Sequence, residues 1–268
     1  PRFNLEERRF YFALNDLETK VVKSIRLRAH RCFFIALLGY FKSRPVVLNP
    51  GFVDIEEDLR FIAKEQLHLP GIRRFSLNQK QKDRLYQKIF DLLDYQKWQS
   101  SYQQDKLIPH LQKVAKSWID PRYLFDATTE YLSLSRIAIP KYTVIQTLVS
   151  HAMRQERKRI ADSLKTHLSK GLSRDLIDLA DGTGSLPLSK LRLSARSFAL
   201  PELEKELKAN RLIQPWMSEV NTVVKSLSLS VKNQQHFASM VDYYGAKLKR
   251  FDSITQQLYL ICYLQERA

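Results

Sequence analysis

The stretch His30-Arg31-Cys32-Phe33-Phe34-Ile35-Ala36-Leu37-Leu38-Gly39-Tyr40-Phe41-Lys42 decides how the rest of the chain is read. Between its flanking cations it is apolar nearly all round. A helix that is apolar on every side must be enclosed by others, so this one belongs at the centre of a small domain. The neighbouring sequence supplies the enclosure. Upstream, Leu14, Leu17, Val21 and Ile25 fall on one face of a helix that Asn15 or Asp16 can cap. Downstream, Pro45 and Pro50-Gly51 force a connection. Ile55, Leu59, Ile62 and Leu67 then make a helix with Glu56, Glu57 and Asp58 in its favourable first turn. Pro70-Gly71 ends it, and Leu85, Ile89, Leu92 and Leu93 mark a fourth helix over residues 80–95. Residues 1–100 are expected to form one helical unit.

Helical spacing continues to the end of the chain. Polar residues 100–104 and 181–185 suggest boundaries, which gives further regions at 101–182 and 183–268. Leu107, Leu111, Val114 and Trp118 form a stripe. Asp120-Pro121 is a cap followed by a proline in the first turn, opening a helix to about Leu134. Residues 135–140 lead into a long helix from Tyr142, its apolar face carrying Ile145, Leu148, Val149, Ala152, Ile160, Leu164 and Leu168. Asp175 fits the first turn of a short helix behind a Ser173 cap. Pro201 and Pro215 are each expected to open a helix, with a last helical stretch from Gln234. Residues 226–231 alternate with a strand period but have no partner, so the expectation there is a helix that stops early. Phe237, Val241, Tyr244, Leu248 and Phe251 have the 4,3,4,3 spacing of a helix–helix seam, read here as intramolecular core before a dimer contact. The fold class is all-α.

Composition narrows the function classes. Of 268 residues, 44% are hydrophobic and 27% charged, which excludes wholesale disorder. Seven glycines are too few for a turn-rich β architecture and speak against phosphate-cradling loops. Cys32 and Cys262 both sit in apolar stretches, so a reducing cytoplasm is expected rather than a disulfide scaffold. The longest apolar run, residues 32–41, is half of the ~20 residues needed to span a bilayer, and no membrane partner is expected. No signal peptide is legible. Pro1, and the pattern Ile254, Leu258, Ile261 and Leu264 running on to Ala268, suggest a piece of a longer chain.

Charge is the strongest bulk signal. Lys and Arg number 44 against 28 Asp and Glu, a net +16 that points to a polyanionic partner. The excess divides as +7 over residues 1–100, +5 over 101–180 and +4 over 181–268, so no single tail explains it. Between Glu18 and Asp54 there is no carboxylate, yet Lys20, Lys23, Arg26, Arg28, Arg31, Lys42 and Arg44 fall there. Arg73, Arg74, Lys80, Lys82 and Arg84 enclose only Asp83. A third acid-free window, 131–155, holds Arg136, Lys141 and Arg154, with Arg157, Lys158 and Arg159 just beyond. Arg154 and Lys158 lie one turn apart, on the side of the long helix away from Ile145 and Leu148. Each cation that neutralises a phosphate releases condensed counterions, which gives sequence-independent affinity with steep salt dependence. Lys141, Tyr142, Thr143 and Gln146 sit where a helix-turn-helix reader touches bases, and Gln can pair bidentately with adenine.

Catalytic signatures are lacking. No Walker-type glycine loop, His-Glu-x-x-His or Cys-x-x-Cys occurs, and His151 and His167 near Glu156 and Asp162 match no common metal spacing. No catalytic residue, metal or cofactor is expected in these residues.

Several stretches, in order, resemble Tn-three-type bacterial transposases. Tyr11-Phe12-Ala13-Leu14 and His30-Arg31-Cys32-Phe33-Phe34 through Tyr40-Phe41-Lys42 are similar to segments near that family's N-terminus. Phe61-Ile62-Ala63 with Gln66-Leu67, Arg136-Ile137-Ala138-Ile139-Pro140, Ser189-Lys190-Leu191-Arg192 and Leu264-Gln265-Glu266-Arg267 follow in the family's order. Phe33 stands where the family has glycine, and one extra residue precedes Gln66. The resemblance implies N-terminal helical domains that bind the transposon's terminal inverted repeats as double-stranded DNA. It also implies a divalent-metal catalytic region that these 268 residues do not contain. Arg31, Lys42 and Arg136 are the DNA contacts it carries over. Two helix-turn-helix-like units, 1–100 and 101–182, would grip successive stretches of one repeat, with 183–268 as a helical linker or dimerisation region. Such a protein would act in the bacterial cytoplasm, at the nucleoid. A helical RNA-binding protein and a basic protein-interaction scaffold explain the charge equally well and stay open at this point.

Overall fold

The computed structural model describes residues 3–183, 188–192 and 199–267, and among them there is no strand. The all-α expectation holds. The helices are α1 Leu5–Tyr11, α2 Asp16–Ser24, α3 Arg28–Ser43, α4 Glu56–Glu65, α5 Gln79–Leu93, α6 Ser100–Ser117, α7 Pro121–Leu134, α8 Tyr142–His167, α9 Lys170–Asp181, α10 Leu188–Leu191, α11 Leu200–Leu227, α12 Val231–Tyr244 and α13 Ser253–Arg267. Turns of 3-10 helix precede α4 and follow α12.

The chain divides into two compact units, not the three sequential regions expected. Unit 1 comprises residues 1–107 and 125–147, and unit 2 comprises 108–124 and 148–268. The physical reason is that the apolar stripes of the expected middle region are shared out. Ala138 joins the core around α3, whereas Ile119, Ile160 and Leu164 join the core that also holds Ile213, Phe237 and Leu260.

In unit 1, α3 is the central helix. Its ten successive residues from Cys32 to Phe41 are all buried, as their unbroken apolar character requires. Helices α1, α2, α4 and α5 pack on or beside it. Gly39 permits the closest approach: a Cβ there would lie 2.4 Å from the Phe12 ring and 3.0 Å from the Tyr11 carbonyl oxygen. Aromatic rings fill much of this core edge to face, among them Phe41 against Phe90 at 5.7 Å and against Tyr95 at 5.0 Å. Two carboxylates, Glu18 and Asp58, are buried in unit 1. Asp58 accepts from the Tyr40 hydroxyl and, at 2.6 Å, from Arg8 Nε, which ties α1, α3 and α4 together. Burial and the neighbouring Asp58 raise the Tyr40 hydroxyl pKa well above its ordinary value.

Helix α1 has no counterpart in the expected four-helix unit. Its signal was nonetheless present: Asn4 and Glu7 form a reciprocal capping box, repeated by Asn15 with Glu18 on α2 and Asn78 with Gln81 on α5. The 135–140 connection is more than a turn. Gln96 donates to Arg136 O at 2.7 Å, Ala138 to Gln96 O at 2.8 Å and Ile139 to Pro45 O at 2.7 Å, so three remote segments meet as isolated parallel bridges.

Unit 2 is assembled from α9, α11, α12, α13 and parts of α6, α7 and α8, with α12 and α13 the most extensive pair. Each helix buries one stripe. Pro215 does not open a helix but lies inside α11, where buried Ile213, Met217, Val220 and Val223 hold the helix through the lost amide bond. The chain stops at Ser228, in the left-handed region at φ 49°, and restarts under the Ser230 cap. Ser169, not Ser173, caps α9, and Asp175 instead accepts from Trp216 Nε1 at 3.1 Å. Phe237, Val241 and Leu248 of the proposed seam are intramolecular core, and α12 already ends at Tyr244.

Candidate nucleic-acid interface

The cations of unit 1 fall into two groups once their partners are known. Lys20, Lys23, Arg26, Arg28 and Arg44 are exposed on or beside α2 and α3. Arg31 and Lys42 are turned to internal work. Arg31 Nε donates to Ile25 O at 2.6 Å and Nη2 to Lys23 O at 3.3 Å, where a cation satisfies carbonyls left open at the C-terminus of α2. Lys42 Nζ donates to Ala13 O at 2.9 Å and to both oxygens of buried Glu18 at 3.1 Å. Those three acceptors match the three donors of an ammonium group, so Lys42 drops out as a phosphate contact.

Along the α4–α5 connection Arg73 and Arg74 are exposed. On α5, Lys80, Arg84 and Lys88 stand at i, i+4 and i+8 and all face solvent; Lys88 was not singled out from the sequence, although this spacing marks it. Lys82 is half-buried and bonded to Asn49 Oδ1 at 2.6 Å and Pro50 O at 2.8 Å. Arg136 occupies the left-handed region at φ 53°, its guanidinium 5.5 Å from the centroid of the Tyr95 ring. A non-glycine residue there is strained; its N–H donates to Ser133 O at 3.1 Å and its carbonyl accepts from Gln96 N–H at 2.7 Å, which hold it in place.

The arrangement also decides which helix can read bases. Helix α3 follows α2 across a short turn, as a recognition helix would, but residues 32–41 have no exposed face to offer a groove. The start of α8 does. Lys141, Tyr142, Thr143, Gln146 and Thr147 are exposed while Ile145 is buried, and Tyr142 lies 5.6 Å from Phe125.

Unit 2 carries its own exposed cations. Arg154, Arg157 and Lys158 of α8 face solvent, whereas Arg159 grips buried Glu156 through two hydrogen bonds of 2.9 and 2.7 Å and donates to Leu227 O at 3.1 Å. Asp162 interrupts the basic face one turn past Lys158. Lys247, Lys249 and Arg250, on the 3-10 turn after α12, form an acid-free exposed cluster that the sequence reading passed over. Among the described residues no group of His, Cys, Asp and Glu could hold a metal ion, and no helix is long and apolar enough to cross a membrane.

These features define a class: an all-helical protein whose charged surface is dominated by cations. Residues 1–152 match the family described as a domain of unknown function, DUF4158, and the chain belongs to that family. No curated protein matches the chain.

Proposed function

We propose that the chain binds double-stranded DNA, and specifically the ends of a transposon of the Tn-three type, as the recognition part of a transposase. One observation carries the reading. Lys20, Lys23, Arg26, Arg28 and Arg44 are all exposed within an interval that holds no acid between Glu18, which is buried in an ion pair, and the exposed Asp54. An interval so composed is suited to phosphates, because each contact gains counterion release. The ordered motif series resembling Tn-three-type transposases supports the narrower assignment.

On this reading Arg26, Arg28, Arg44, Arg73, Arg74, Arg84 and Lys88 set register on the backbone in unit 1, as Arg154 and Lys158 do in unit 2. Gln146, Thr143 and Tyr142 touch base edges. Cutting DNA with a divalent metal falls to residues outside this chain, and the setting is the bacterial nucleoid. Salt-dependent band shifts or anisotropy titrations test the proposal. Arg154→Ala and Lys158→Ala should each weaken binding to every sequence and lower the slope of log affinity against log salt by about 1. Gln146→Ala should leave that slope intact and cost about 1–3 kcal/mol of discrimination at one base pair. Unchanged DNA affinity after charge reversal at both Arg154 and Lys158 removes unit 2 from the interface. Tighter binding to double- or single-stranded RNA at the same salt replaces the proposal with its RNA counterpart.

A further inference from the structure

Unit 1 has a cleft of about 230 Å³ between the α3–α4 connection and the irregular segment 70–78. Phe33, Phe52 and Phe75 form its apolar walls, Gly51 adds an edge without a side chain, and Arg74 and Lys82 supply charge. The nearest acid in view is Asp54, whose carboxylate accepts from the Gly51 N–H at 2.7 Å. The rings meet edge to face: Phe75 lies 5.9 Å from Phe33 and 5.6 Å from Phe52, at 72° and 73°. Phe33 and Phe52 are 2% and 9% exposed and back the cleft, whereas half-buried Phe75 is the ring that keeps open surface. Lys82 Nζ is held 5.8 Å from the centroid of the Phe33 ring by Asn49 and Pro50. Those two acceptors leave one of its three N–H donors for a ligand. Arg74 stands exposed at the rim.

Size and chemistry restrict the occupant. The volume falls below the roughly 300 Å³ at which drug-sized pockets begin, so one planar ring system fits and a whole dinucleotide does not. Aromatic walls offer stacking and edge contacts to any base, since every base has a π-face, and adjacent cations suit the phosphate it carries. We propose that this cleft receives an unpaired nucleobase together with its adjoining phosphate. The base comes from a DNA strand frayed or extruded beside the duplex, or from a free nucleotide of the same chemistry. The strand source rests on the DNA-binding reading above.

The test uses the full chain with three ligands at one salt concentration. These are a fully paired duplex, the same duplex with a 2-aminopurine overhang, and free adenosine monophosphate. The overhang duplex should bind about tenfold tighter than the paired one, the gain expected from a single stacked base. The fluorescence of its 2-aminopurine should change on binding. Phe75→Leu, which keeps apolar bulk but removes the ring, should abolish both effects and leave paired-duplex affinity unchanged. Arg74→Glu, at an exposed position, should remove the preference without altering the thermal melt. Equal binding of both duplexes with no fluorescence change overturns the cleft assignment while DNA binding stands. Binding of the free nucleotide, lost in Phe75→Leu, upholds the cleft and assigns it to nucleotides even if no duplex binds. Failure of all three ligands overturns both readings.

Discussion

The two units solve the problem of a helical core in different ways. Unit 1 encloses the middle of one helix, and its core is chiefly apolar and aromatic around Phe12, Phe33, Phe34, Tyr40 and Phe41, with the polar ties of Asp58 and Glu18 beside it. Unit 2 has no such axis; several helices each bury a stripe, and polar side chains fix how the stripes meet. Asn233, fully buried, accepts from Ile119 N–H at 2.7 Å and donates to Ala115 O and Lys116 O at 3.1 Å, which closes the C-terminal end of α6. Gln257 donates to Ser173 Oγ at 2.8 Å, and the Glu156–Arg159 pair holds the last carbonyl of α11. An enclosed helix specifies its surroundings by shape. Stripes can slide, and directional hydrogen bonds hold their register.

The largest effect should therefore follow from cutting a polar tie in unit 2. Asn233→Ala leaves one buried amide and two carbonyls without partners, at about 1–3 kcal/mol each, so denaturant unfolding should show a loss of about 4 kcal/mol. A loss below about 1 kcal/mol would make the polar wiring incidental and break the contrast. In unit 1 the sensitive spot is steric. Gly39→Ala drives a methyl into Phe12, and the expected cost is about 2–3 kcal/mol, with the damage confined to unit 1 in hydrogen exchange.

Smaller still is the effect of Lys42→Ala, which strands buried Glu18. With Lys42 itself partly solvated the loss should be about 2 kcal/mol, against less than about 0.5 kcal/mol for exposed Arg26→Ala. The pair sharpens a functional contrast too: Arg26→Ala should weaken DNA binding at unchanged stability. Least in size is a pH effect in unit 2. Burial lowers the pKa of His236, against an upward pull from Asp120 and with a further downward push from Arg157. As pH falls below the ordinary histidine value of about 6.5, the unfolded chain takes a proton that the folded chain refuses, and stability drops. Asp252, its pKa lowered chiefly by the Thr255 hydroxyl, adds loss in the same direction at lower pH. The unfolding midpoint of wild type should fall more steeply between pH 7.5 and 5.5 than that of His236→Gln, and equal slopes would remove His236 from the account.

This contrast also explains what could be read from sequence. The continuous apolar run of α3, the stripes of α2, α4 and α5, and the Asp120-Pro121 start of α7 are local patterns, and the structure has a helix at each. Pro215 misled because its local cost is outweighed by buried neighbours four residues apart, which no window around the proline reveals. The two-unit division is set at longer range still, where the tie from Asn233 to Ala115 spans 118 residues. For the candidate interface, composition located the acid-free intervals but could not tell Arg26, which faces water, from Lys42, which faces Glu18. Lys88 is marked only by its four-residue spacing from Arg84, and Lys247–Arg250 only by a short run, signals too small to stand out beside the longer acid-free intervals.

The small seam that joins Pro45, Gln96 and Ala138 has a consequence for how the gene can change. Because residues 125–147 return to complete unit 1 after the chain has already entered unit 2, neither unit is a contiguous reading frame. A break after residue 107 would deprive the first of Ile137 and Ala138, and a break before 148 would deprive the second of Ala115 and Ile119. A gene cut at either point should therefore give pieces that are each less stable than in the whole chain.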